Sequence, residues 1–266
     1  MTDGEGTLRG RRALVTGSTS GIGLGIARAL AEAGAAVALN GRSSETEAGE
    51  ALESVRANAD AQIHYVQADL STGKGADTLF GSAREALGGV DILVNNAGVQ
   101  HVAPLAEFPP DKWDLILSLN LSAAFHATRL ALPGMTESGW GRIVNIASAH
   151  ALVASPFKAA YVAAKHGLLG LTKVTALEVA EHDITCNAIC PGYVRTPLVE
   201  KQIDAQAKAH GIPREDVIRD VILKPQPNKR FATEEEIGAL TVFLCSPSGR
   251  PITGAALPVD GGWTAH

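Results

Sequence analysis

The chain has 266 residues, 45% of them hydrophobic, with 28 glycines and a formal net charge of −5. That length suits one α/β domain over residues 1–266, with apolar content enough to fill its core. The mild acidity excludes the basic footprint of a nucleic-acid or anionic-membrane binder. No apolar stretch is expected to approach the ~20 residues of a membrane span. Residues 1–6 are polar and acidic, unlike a signal peptide, so the expected location is the cytoplasm. Cys186, Cys190 and Cys245 are odd in number and widely spaced. They predict buried thiols rather than a disulfide framework, and no metal-ligand spacing surrounds them.

In chain order, residues 13–16 form a short β-prone run, followed at once by Gly17-Ser18-Thr19-Ser20-Gly21-Ile22-Gly23. Residues 24–34 then read as a helix ending in a glycine cap. Strand, glycine-rich turn and helix form the context a dinucleotide-binding loop requires. Glycines allow tight turns and close approach to a pyrophosphate, and the helix N-terminus offers unpaired N–H groups. Gly17, Thr19, Ser20, Gly21, Ile22 and Gly23 are the expected holders. A second strand covers residues 36–40. An acidic residue just after it would bind the adenosine ribose and select NAD. Gly41 stands there instead, and Arg42 follows. Arg42 is either a partner for the 2′-phosphate of NADP or a solvated charge.

Further strands are expected at residues 64–68, 92–95, 141–147, 185–190 and 256–259, with helical stretches between them. That alternation predicts an α/β, Rossmann-type doubly wound fold: a mainly seven-stranded parallel sheet with helices on both faces. Residues 193–231 break the rhythm with Pro197, Pro213, Pro225 and Pro227. An insertion at a strand's carboxyl end lies where ligands bind, which predicts a small helical substrate lid. The alternative is a surface excursion without a gating role.

Tyr161 and Lys165 are four residues apart, on one helix face, and Ser148 lies thirteen residues upstream of the tyrosine. This set can surround one reacting oxygen. A free phenol is a poor base at neutral pH, but a nearby cation favours the phenolate. Ser148 can then donate a hydrogen bond to the substrate oxygen while Tyr161 moves the proton.

Thr16-Gly17-x-x-x-Gly21-x-Gly23, Asn95-Asn96-Ala97-Gly98, Asn120, Ser148, Tyr161-x-x-x-Lys165 and Pro191-Gly192 occur in this order. The chain thereby resembles the short-chain dehydrogenase/reductase family from about residue 8 to its end. The resemblance implies Tyr161 as acid/base, Lys165 as its activator and ribose ligand, Ser148 as carbonyl polariser, and Asn120 as holder of a relay water. It also implies cofactor contacts at Asp69, Leu70, Asn96, Ala97, Gly98, Tyr161, Lys165, Pro191, Gly192, Val194 and Thr196. Asp69 equally suits a helix N-terminal cap. The family's usual tetramer, built on two long helices, is expected here over residues 113–135 and 158–181.

Residues 95–104, 148–155, 161–167, 196–203 and 260–265 further resemble the branch of the family that interconverts (R)-3-hydroxybutyrate and acetoacetate. That implies a small 3-hydroxy carboxylic acid as substrate and NAD as cofactor, with NADP the lesser choice. Gln100, His150, Lys158 and Gln202 would hold the carboxylate through charge-assisted bonds. Trp263 would help wall the pocket, with a neighbouring subunit as one source. Tyr193 departs from the tryptophan common in that branch, and Arg42 from its usual aromatic residue. The alternatives are an NADPH-dependent 3-oxoacyl reductase, which Arg42 favours, and a non-catalytic dinucleotide sensor, which has no need of the full Asn120, Ser148, Tyr161 and Lys165 set.

Overall fold

The computed structural model describes residues 7–57 and 59–265; the polar opening segment lies outside them. Seven strands form one sheet: β1 (Arg12–Val15), β2 (Ala36–Gly41), β3 (Ile63–Gln67), β4 (Ile92–Asn95), β5 (Gly141–Ile146), β6 (Ile184–Pro191) and β7 (Ala256–Val259). Their order is β3-β2-β1-β4-β5-β6-β7, with every pairing parallel. β4, β5 and β6 are buried along their whole length, because helices cover both faces and leave no polar side. All seven expected strands form, with ends shifted by a residue or so.

The main helices are α1 (Gly21–Glu32), α2 (Gly49–Arg56), α3 (Gly73–Leu87), α4 (Pro110–Leu117), α5 (Ala123–Ser138), α6 (Ala159–Glu178), α7 (Pro197–His210), α8 (Arg214–Asp216) and α9 (Glu234–Cys245). One apolar cluster joins β1, β2 and β4 to α1, α2 and α9 through Ile26, Leu30, Leu52 and Ile237. A second joins the sheet to α3 and α5 through Leu79, Ala83, Ala127 and Met135. α1 begins three residues before the expected start, directly on the glycine turn. Gly34 takes the left-handed backbone (φ +94°) that ends it.

The expected helix over residues 113–135 proves longer and interrupted. α4 and α5 run on through a π-helical turn, Ser118–Ser122, which carries Asn120. Residues 110–138 thus make a 29-residue helix apolar enough, by length and composition, to cross a membrane. The expectation that no stretch reaches that length is corrected, because the π turn continues the helix through Ser118, Asn120 and Ser122. Its inner face is packed against α3 and the sheet through Ala123, Ala127, Ala131 and Met135.

The order of the strands reverses between β1 and β4, where a crevice opens at the carboxyl ends of the sheet. Residues 193–231 rise beside it as α7, α8 and a second π turn, Val217–Ile222, around their own apolar core of Val199, Ile203, Val217, Ile222, Leu223 and Phe231. The two ends of this segment are laced together. Arg195 N donates to Ala232 O at 3.0 Å and Ala232 N to Tyr193 O at 3.0 Å, while buried Gln226 bonds Tyr193 N and Arg230 O.

Candidate active site

The glycine turn after β1 is shaped by close contacts. Gly17 (φ +59°) and Gly21 (φ +57°) sit in left-handed backbone, and a Cβ on Gly17 would stand 2.9 Å from Ala97 Cα. A Cβ on Gly23 would collide with Asn96 Nδ2 and Gly17 O. Asn96 Nδ2 donates to Thr16 O at 3.0 Å and Gly17 O at 2.8 Å, and Thr16 Oγ1 accepts from Asn96 N and Ala97 N. Buried Asn40 clamps the turn from β2: its Oδ1 accepts from Gly17 N at 3.2 Å, and its Nδ2 donates to Val66 O and Ala68 O.

α1 starts with no side-chain cap from Ser20 and no acidic residue in its first turn. Its free N–H groups and positive dipole end therefore remain for an anion. A cleft of about 520 Å³ opens over this terminus, lined from Gly17 through Gly98 and Asn120 to Tyr161 and Lys165. The bare glycine cradle, the uncapped helix and the size of the cleft all fit a dinucleotide.

Of the expected cofactor contacts, Gly17, Thr19, Ser20, Gly21, Ile22, Gly23, Leu70, Asn96, Ala97, Gly98, Tyr161, Lys165 and Thr196 line this cleft. Gly192 and Val194 line an adjoining pocket instead. Pro191 is buried in β6. Asp69 lies outside the lining, accepting from Ser71 N at 2.9 Å. That bond, with the charge of Arg42, holds its carboxyl below the usual range. Asn40, Val99, Leu119, Ile146, Ala147 and Pro197 also line the cleft, as do Gly41 and Arg42. Asn40 was legible only as a strand residue, because its clamp on Gly17 depends on the parallel pairing of β1 with β2.

α6 carries Tyr161 and Lys165 on one face. Lys165 Nζ donates to Ile146 O at 2.7 Å and stands 5.6 Å from the centroid of the Tyr161 ring. Burial pulls Lys165 down to about 8. The expected lowering of Tyr161 by Lys165 is absent in the chain alone: burial raises the phenol, with Tyr193 adding to it and Ser148 opposing it. Asn120 accepts from Val99 N at 2.9 Å and donates to Val99 O at 3.0 Å. Between Asn120 and Lys165 lies a void of about 10 Å³, room for about one water.

The adjoining pocket, about 190 Å³, is lined by all five residues expected to meet substrate, Gln100, His150, Lys158, Gln202 and Trp263, together with Ser148 and Tyr161. Lys158, three residues before Tyr161 and so expected near the same helix face, is not on the α6 face. It precedes the helix in non-helical backbone, behind Phe157, whose φ of +68° is rare for an aromatic residue. Burial lowers the Lys158 ammonium from its ordinary value. Trp263 comes from the same chain: it stacks on Tyr193 at 5.8 Å and meets His150 edge-on at 5.0 Å. A tight turn holds it, with Asp260 accepting from Gly262 N and Thr264 N. His150 is buried, and that burial, with Lys158 and His166, pulls it down to about 4. Its ring is neutral at physiological pH.

The chain belongs to the short-chain dehydrogenase/reductase family. A family model described as enoyl-(acyl carrier protein) reductase matches residues 17–264. Among named relatives, the D-beta-hydroxybutyrate dehydrogenase of Cupriavidus necator is 54% identical over 97% of this chain and 100% of its own length. The enzyme of that name from Rhizobium meliloti is 51% identical over 96% and 99%. Among solved structures, L-sorbose reductase from Gluconobacter frateurii, complexed with NADPH and L-sorbose, superposes with a TM-score of 0.93 at 34% identity, covering 100% of both chains. The protein is thus an oxidoreductase with a fold for NAD(P).

Proposed function

We propose that the enzyme interconverts (R)-3-hydroxybutyrate and acetoacetate. The observation that carries this reading is the single pocket of about 190 Å³ in which Gln100, Lys158, His150 and Gln202 share a wall with Ser148 and Tyr161. Its size suits a short acid. The half-buried Lys158 ammonium is costly without an anion beside it, so a carboxylate partner relieves that cost.

In this reading Gly17, Thr19, Ser20, Gly21, Ile22 and Gly23 hold the cofactor's phosphates, Asn96–Gly98 and Leu70 border its adenosine and ribose, and Thr196 meets its far end. When bound, the nicotinamide accepts or supplies the hydride. Gln100, Lys158 and Gln202 grip the carboxylate and fix the carbon that reacts; His150, expected to join them, instead turns its two ring nitrogens to Ser148 and Ser155. Ser148 donates to the substrate oxygen, and Tyr161 takes or returns the hydroxyl proton. Lys165 then contributes charge close to the phenol, and the water-sized void between it and Asn120 supports a proton path outward. Residues 193–231 act as a lid, with α7 bringing Gln202 to the substrate. Trp263 and Tyr193 exclude water from the far wall.

NAD is the proposed cofactor. Support comes from the resemblance of residues 95–104 and 148–155 to the 3-hydroxybutyrate branch, which implies NAD. Arg42 lines the cleft, and that observation favours a second reading, an NADPH-dependent 3-oxoacyl reductase. A thioester gives Lys158 no carboxylate to pair, which opposes it. The exposed apolar residues Phe125 on α5 and Val174 and Leu177 on α6 suit a homotetramer. The unpaired buried thiols suit the reducing cytoplasm.

The test follows nicotinamide absorbance with (R)- and (S)-3-hydroxybutyrate against NAD and NADP in parallel. Fast, (R)-selective reduction of NAD is expected. Turnover confined to carrier-linked 3-oxoacyl substrates with NADPH would replace this reading with the second. Tyr161→Phe is expected to abolish turnover while dinucleotide still binds.

A further inference from the structure

A hydrogen-bonded chain runs behind the pocket through three side chains. Ser148 Oγ accepts from His150 N at 3.1 Å and lies 3.4 Å from His150 Nδ1. On the ring's other side, His150 Nε2 stands 2.8 Å from Ser155 Oγ. Ser155 lies on the loop between β5 and α6 and is half-buried. Nothing in the proposed chemistry has used it.

A neutral imidazole carries one N–H and one lone pair, so the chain has two possible directions. In the first, Ser155 donates to Nε2, and Nδ1–H points at Ser148 Oγ. Both lone pairs of Ser148 are then taken, one by the backbone N–H of His150 and one by Nδ1–H. Its own proton then points into the pocket, where the Tyr161 oxygen and the substrate oxygen are its acceptors. In the second, Nε2–H donates to Ser155, and Nδ1 draws the Ser148 proton away from the substrate. A carbonyl oxygen has no proton of its own, so in reduction a donor at Ser148 adds to the proton that Tyr161 delivers, and the first direction supplies that donor.

We propose that Ser155 is a positioning residue that fixes the His150 tautomer protonated at Nδ1, so that Ser148 presents its proton to the substrate oxygen. Burial keeps the ring neutral at working pH, which is the condition under which a tautomer choice exists. Trp263, edge-on to the same ring at 5.0 Å, keeps the imidazole from turning over. The inference rests on the proposed role of Ser148, but the tautomer itself can be read without any turnover.

Nitrogen-15 NMR of the full-length protein, labelled at histidine, distinguishes the two tautomers of a neutral ring. Assigned through His150→Gln, the native signal is expected to report Nδ1–H, and Ser155→Ala to shift it toward Nε2–H or a mixture. Ser155→Thr, which keeps the hydroxyl, is expected to restore the native signal. In acetoacetate reduction, Ser155→Ala is expected to lower kcat about tenfold, with KM moved less than about twofold. Ser155→Thr should recover most of that loss. In a His150→Gln background the Ser155→Ala change is expected to have no further effect. A native His150 protonated at Nε2, or an equal loss in both backgrounds, would overturn the proposal. A native Nδ1–H signal with no turnover of acetoacetate would leave the tautomer assignment standing and remove the substrate instead.

Discussion

At the scale of single residues, buried charge decides most of the chemistry. Lys158 and Lys165 both lose ammonium stability to burial, yet their surroundings differ. Lys165 donates to Ile146 O inside the fold, whereas Lys158 faces the open pocket. Lys158→Ala is therefore expected to raise KM for (R)-3-hydroxybutyrate about tenfold or more, the value of one charged hydrogen bond, while dinucleotide binding stays unchanged. Equal losses on an uncharged hydroxy ester, measured in the same assay, would refute a carboxylate contact. His150 gives a second residue-scale outcome through linkage. Its folded value near 4 lies below the ordinary 6.5. The unfolded chain thus binds the extra proton first as pH falls, and stability is lost between about 6.5 and 4. His150→Gln is expected to flatten that acid limb by up to about 3 kcal/mol, read from urea melts across the window.

At the scale of elements, two ends of helices matter. α1 is left uncapped where it faces the cleft, while α9 carries a full capping box between Thr233 and Glu236. The contrast follows from use: α9 packs on α1 and the sheet and lines neither the cleft nor the pocket, so its terminal N–H groups are satisfied within the chain. Thr233→Ala is expected to cost about 1 kcal/mol of stability by denaturant melt, with kcat unaltered. Gly23→Ala acts at the other end. The added methyl meets Asn96 and the Gly17 carbonyl, so dinucleotide affinity measured by titration is expected to fall by at least about tenfold; unchanged affinity would remove the glycine cradle as the phosphate site.

At the scale of the whole molecule, the outer faces of α5 and α6 expose Phe125, Val174 and Leu177, the last at 77% of its free area. Leu177→Glu with Val174→Glu is expected to break the proposed tetramer into smaller species in sedimentation experiments. Lowered kcat alongside would mean that assembly braces α6, and with it Tyr161. An unchanged tetramer would move the interface elsewhere.

The sequence by itself determined the sheet, the glycine loop and the set of Asn120, Ser148, Tyr161 and Lys165. The sheet, the loop and the spacing of Ser148, Tyr161 and Lys165 depend on period and local backbone preference, which a chain carries without its neighbours, whereas Asn120 was marked by the family resemblance alone. It also marked Gln100, His150, Lys158 and Gln202, though not why Lys158 reaches the pocket from ahead of α6 rather than from its face. Only the tertiary structure decided what depends on residues far apart in sequence: the clamp of Asn40 on Gly17, Trp263 entering the pocket of its own chain, and the resting phenol of Tyr161 raised by burial. The second hydrogen bond of His150, to Ser155, belongs with these. Desolvation and side-chain direction are set by packing, and packing exists only once the strands have paired.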